Sequence, residues 1–161
     1  MDDDTLTPLE PSALSTIRRI LVATLMFGTA GMDAELLLIG HVEGQVQLLP
    51  VCVLTLTCLG VIWLAIAPSR VAVRSVQALM LLSAVSGVAG VLLHYQGNTA
   101  FELEMYPDLG GLELVQKTLT GATPVLAPGS MTLLGLVGLA AVLHHPLTRK
   151  TEPVQSAKEI S

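Results

Sequence analysis

Leu48–Ala67, LLPVCVLTLTCLGVIWLAIA, carries no charged residue, and its reading decides the fold. A hydrocarbon core about 30 Å thick needs roughly 20 helical residues at ~1.5 Å rise each, and this stretch supplies that length. Ile20–Ile39 precedes it, and Val76–Leu93 and Ala127–Leu143 follow. All four runs are Leu-rich and continuously apolar, without the alternation of a membrane β-strand. Backbone polar groups in lipid must be satisfied within their own segment, so all four are predicted to be helices. The predicted fold is all-α: an integral membrane four-helix bundle of up-down topology.

Working outward, the remaining chain is small. Residues 1–16 form an acidic head, 17–146 the membrane domain with an outer loop at 95–123, and 147–161 a polar tail expected to be disordered. Charged residues make up 13% of the 161, against about 25% in soluble domains. Hydrophobic residues reach 52%, and the mean hydropathy is +0.68. A net charge of −5 offers no basic surface for nucleic acid. The start, Met1-Asp2-Asp3-Asp4, lacks the basic n-region of a signal peptide, so the first span is expected to be retained. Cys52 and Cys58 lie six residues apart, about 240° around a helix, which sets them on different faces and argues against a disulfide or a redox dithiol.

Lys and Arg near span ends set orientation. Arg18 and Arg19 precede the first span, Arg70 and Arg74 separate the second from the third, and Arg149, Lys150 and Lys158 follow the fourth. The connection at 40–47 has neither residue, and the long one has Lys117 against Glu102, Glu104, Asp108 and Glu113. The basic segments fall on one side, which predicts both termini in the cytoplasm. The acidic start and the lack of eukaryotic targeting features fit a bacterial inner membrane.

Without a hydrophobic drive between helices in lipid, small residues mark close packing. Ser83 and Gly87, Ser86 and Gly90, Gly135 and Gly138, and Gly28 and Gly31 have such spacing. Packing within the chain is favoured over a dimer face. Trp63, the one tryptophan, is placed as an anchor at the cytoplasmic end of its span. After Gly110-Gly111, apolar residues 112, 115 and 119 predict a short amphipathic surface helix. Pro128 is expected to start the fourth span.

The ionisable residues converge on the non-cytoplasmic end. Asp33 and Glu35 lie in the last turns of the first span, His41 and Glu43 in the connection after it, and His94, Glu102 and Glu104 at or beyond the end of the third. Imidazoles and carboxylates together are the ligands of a divalent metal, and His41 and His94 on diagonal helices would suit axial ligation of haem. Neither spacing is diagnostic, and hydrogen bonding at the interface accounts for the same residues. Glu35 is the more pointed case, because intramembrane carboxylates usually face a bundle interior or an ion path. It is expected to bond His41 or His94, with Asp33, about 200° away, facing elsewhere.

Three functions compete. A non-enzymatic accessory or scaffold subunit of a membrane complex, with the outer loop 95–123 as its meeting place with other subunits, needs nothing further. A metal- or haem-binding protein would use His41, Glu43, His94, Glu102 and Glu104. A small proton-coupled transporter would use Glu35. Four helices with a carboxylate in the first resemble the small multidrug-resistance exporters, but this chain is longer, poorer in aromatics, and carries a long acidic loop. No motif at catalytic spacing is present, and an enzyme is disfavoured.

Overall fold

The computed structural model describes residues 11–143 and 145–148. Readings placed on the first ten residues, on His144 and on the tail from Arg149 lie outside it. Among the described residues the chain is all-helical. Its elements are α1 (Pro11–Leu38), α2 (Gln45–Ile66), α3 (Arg70–Met105), α4 (Gly111–Leu119) and α5 (Gly129–Val142), with a 3-10 turn at Pro146–Thr148.

Helix ends follow local chemistry. Pro68 closes α2, and the Ser69 side chain then caps α3 by accepting from the Ala72 amide at 3.1 Å. Tyr106, before Pro107, is turned out of the helical region at φ −137 and ψ 82, and α3 stops there. Gly111 opens α4 at φ +59, a left-handed conformation that a side chain would resist. Pro128 stands at the N-cap of α5.

Two expectations change. α3 is 36 residues, about 54 Å of rod, so the connection begins after Met105 and not at Tyr95. Alternating Glu102 and Glu104 with apolar neighbours does not break a helix, whereas Pro107 does. Second, three helices rather than four are long and apolar enough to cross a membrane: α1 from Ala13, α2 and α3. α5 has 14 residues, about 21 Å. The turn-rich approach from Pro124 to Pro128 takes up part of the expected fourth run.

α1 packs on α2 and α5, and α3 packs on α2, α5 and α4. One apolar cluster joins Leu25 of α1, Val61 of α2, Val73, Val76 and Met80 of α3, and Val142 of α5. A second joins Val53 and Leu54 of α2 to Met131 of α5, with Met32 and Leu36 of α1 against it. The α3–α5 contact is made backbone to backbone. A Cβ on Gly87 would lie 2.5 Å from the Thr132 amide nitrogen, and one on Gly135 would lie 2.6 Å from the Met80 carbonyl oxygen. Gly90 meets Pro128, Gly138 meets Met80, and Gly28 meets Leu134. Gly31, expected to mark close packing, has nothing near it among the described residues, because its side of α1 faces away from α2 and α5. Leu, Ile, Val and Phe residues cover much of the outer surface, Phe27 being 86% exposed and Ile66 79%. That distribution suits helices whose solvent is lipid.

Candidate functional site

Arg18 and Arg70 mark one end of the molecule, here the basic end. There α5 finishes with carbonyls that have no helical partner. Arg18 Nε donates to Ala141 O at 3.0 Å, and Gln77 Nε2 donates to Val142 O at 3.1 Å. A cation at a helix C-terminus also meets the negative end of its dipole. Arg70 Nε donates to Leu147 O at 3.1 Å, fastening the 3-10 turn to α3. His145 Nδ1 accepts from the Leu147 amide at 3.3 Å. Partial burial, and after it the Arg18 guanidinium, hold the His145 imidazole below its ordinary 6.5.

Between the two apolar clusters the interior turns polar. Thr29 donates to Leu25 O at 2.7 Å and receives Cys58 Sγ–H at 3.4 Å. Both cysteines are free. Thr55 of α2 donates to Asp33 Oδ2 at 2.7 Å. Asp33 Oδ1, Thr57 Oγ1 and Ser83 Oγ are buried with no hydrogen-bond partner among the described residues. Asp33 is therefore the carboxylate drawn toward a neighbouring helix. Glu35, expected to hold that role, is exposed and makes no hydrogen bond to His41 or His94. Asp33 stands beside α2 and Glu35 does not, because the two differ by about 200° around α1.

The acidic end is organised by an amide whose residue the sequence places among the polar groups gathered there but assigns no role. Asn98, 3% exposed, donates from Nδ2 to Thr118 O at 2.9 Å and to Thr123 O at 2.8 Å. Its Oδ1 accepts from the Thr123 amide at 3.1 Å and from Thr123 Oγ1 at 2.7 Å. Both donors and both acceptor directions are used. Thr99 Oγ1 adds a bond to Thr118 Oγ1 at 3.2 Å, and Gly121 comes close enough that a Cβ would touch the Asn98 amide at 2.9 Å. One signal was available: an Asn in a long helix with a buried face must find such partners or pay desolvation.

α4 forms where its apolar spacing placed it, but it buries Thr118 and leaves Leu112 83% exposed and Leu119 47% exposed. Lys117 lies over the Tyr106 ring at 4.1 Å and 3.9 Å from Glu113. They border a shallow depression of about 650 Å³ floored by the 105–110 turn.

The proposed metal ligands do not assemble. Among the described residues no three His, Cys, Asp or Glu side chains are grouped to hold an ion. His41 and Glu43 stay on the α1–α2 turn. His94 is engaged through Nδ1 with Pro124 O at 3.2 Å. Glu102 and Glu104 ride the last turn of α3, whose unbroken helix separates them from His94 by eight and ten residues, about 12 and 15 Å. Comparison with protein-family models, curated proteins and solved structures returned no match.

Proposed function

We propose that the chain is a four-span bundle of the bacterial inner membrane, both termini cytoplasmic, serving as a non-enzymatic accessory or scaffold subunit of a membrane complex. The fourth span is supported by α3 used as a ruler. Pro124 is bonded at His94 and Val142 at Gln77, 17 residues apart, so residues 124–142 run beside about 26 Å of α3. That approaches the thickness of a hydrocarbon core. Basic residues at one end and acidic ones at the other support the orientation.

The observation that carries the functional reading is where the polar groups are spent. Arg18, Gln77, Arg70, Thr132 and Asn98 each tie one element to another, holding a shape and not lining a reaction centre. The test is native electrophoresis of mildly solubilised host membranes containing the tagged full chain. Migration within an assembly of other proteins, lost from that assembly's neighbours on deletion, is expected. Migration of the chain alone overturns the reading.

One observation favours a proton-coupled carrier as the second reading, and it moves the key residue to Asp33, whose Oδ1 is buried and unbonded beside α2. Substrate uptake driven by a pH gradient in vesicles, abolished by Asp33→Asn, would put that reading first.

A further inference from the structure

α1 has one face turned inward and one left uncovered by the described residues of its own chain. Leu25 and Thr29 are buried, with Val22 and Met26 packed beside them. On the opposite side, steps of three and four residues lead from Ile17 through Ile20, Phe27 and Gly31 to Leu38, and every position on that path is exposed. This is the spacing by which one helix seats against another.

Two features of this face are not needed for contact with lipid alone. Gly31, followed by Ala34, makes it flat, and among the described residues no atom beyond its own helical turn comes within 4 Å of where a Gly31 side chain would begin. Glu35 stands one turn beyond Gly31 at the border of the same face, exposed, its carboxylate making no hydrogen bond or ion pair among the described residues. Leu37, Leu38 and Ile39, 54%, 87% and 67% exposed, follow it. The carboxylate thus lies inside the edge of an apolar surface, where ionisable groups ordinarily turn toward a protein partner.

We propose that this face of α1 seats a transmembrane helix of a different chain, carrying a Lys or Arg level with Glu35. The inference rests on the accessory-subunit reading and names the chemistry of the partner. A second copy fits less well. In a parallel pair Glu35 would face Ala30 of its twin, which brings no cation. Lys117, the cation of the acidic end, is already occupied by Glu113 and Tyr106.

The test uses the full chain, fluorescently labelled, in phosphatidylcholine vesicles with two synthetic Leu/Ala transmembrane peptides. One carries a single Lys near its outer end, and the other has Leu there. Energy transfer should report association about tenfold tighter for the Lys peptide. Glu35→Gln should erase that preference, and Glu35→Lys should transfer it to a peptide bearing Glu. Gly31→Leu should weaken all pairings. Circular dichroism of each variant checks that the helices are intact. Equal association of the two peptides, or a preference that survives Glu35→Gln, overturns the proposal. So does transfer between two labelled copies as strong as with the Lys peptide. If the proposal fails while the chain still migrates in a larger native assembly, the subunit reading stands and only the seat is wrong.

Discussion

Hydroxyls that bond a neighbouring helix and buried ones without a partner should respond in opposite directions to the same kind of substitution. Thr55→Val removes the donor to Asp33 and should destabilise the helices by about 1–2 kcal/mol. Thr57→Val, an almost isosteric change at a hydroxyl with no partner, should be neutral or stabilising. Reversible denaturant unfolding in mixed micelles distinguishes them, and equal losses would mean that Thr57 has a partner after all. Asn98→Leu leaves the Thr123 amide and the Thr118 and Thr123 carbonyls unanswered and should cost about 3 kcal/mol or more. Its signature is rapid proteolysis between Tyr106 and Pro128. His145 gives a pH dependence of known sign. Its folded imidazole binds a proton less readily than the unfolded one, so its contribution is complete above pH 6.5 and lost as pH falls through the lower folded value. Arg18→Leu should move the imidazole titration, followed by NMR, part of the way back toward 6.5, since burial remains. At this scale the sequence identified the right neighbourhood and the wrong oxygen. Asp33 and Glu35 differ only in angle, and the angle acquires meaning once α2 is known to stand on one side.

Helices were legible wherever an apolar run or a proline settled the matter, as with the Pro128 start of α5 and the short α4. Less legible was the reach of α3, because charge marks where a helix leaves lipid and does not mark where it ends. The glycine spacing was read as packing, and the structure supplies partners for Gly28, Gly87, Gly90, Gly135 and Gly138 but not for Gly31. Gly87 and Gly135 bring α3 and α5 together closely enough that Gly87→Val should drive them apart, lowering stability by about 1–3 kcal/mol as other overpacked cores do. Gly31→Val, with open space around it, should leave the isolated chain unchanged. A thermal melt of both variants checks the contrast, and a similar loss from each would mean that helix propensity, not packing, dominates.

For the whole molecule, the sides reached by two loops decide the topology. In a chain with Cys52 and Cys58 replaced by Ala, Thr120→Cys should react with an impermeant maleimide only from outside the cell. Thr148→Cys should react only after the membrane is opened. Labelling of both from one side would mean that α5 does not cross. The three long helices were legible because length and composition fix them. The fourth was legible in its start, at Pro128, but the 14 helical residues that follow are fewer than length alone requires of a span.

The shortness of α5 has a further consequence. On the proposed four-span reading, α2 presents 22 helical residues to the bilayer, about 33 Å, whereas residues 124–142 rise about 26 Å, of which the α5 helix makes about 21 Å. The surrounding lipid therefore meets a step in hydrophobic thickness on going around the protein. It must thin beside α5, an elastic deformation of fractions of a kcal/mol per Å of mismatch. Membranes of short-chain lipids relieve that strain, and so does a neighbour that covers the thin flank.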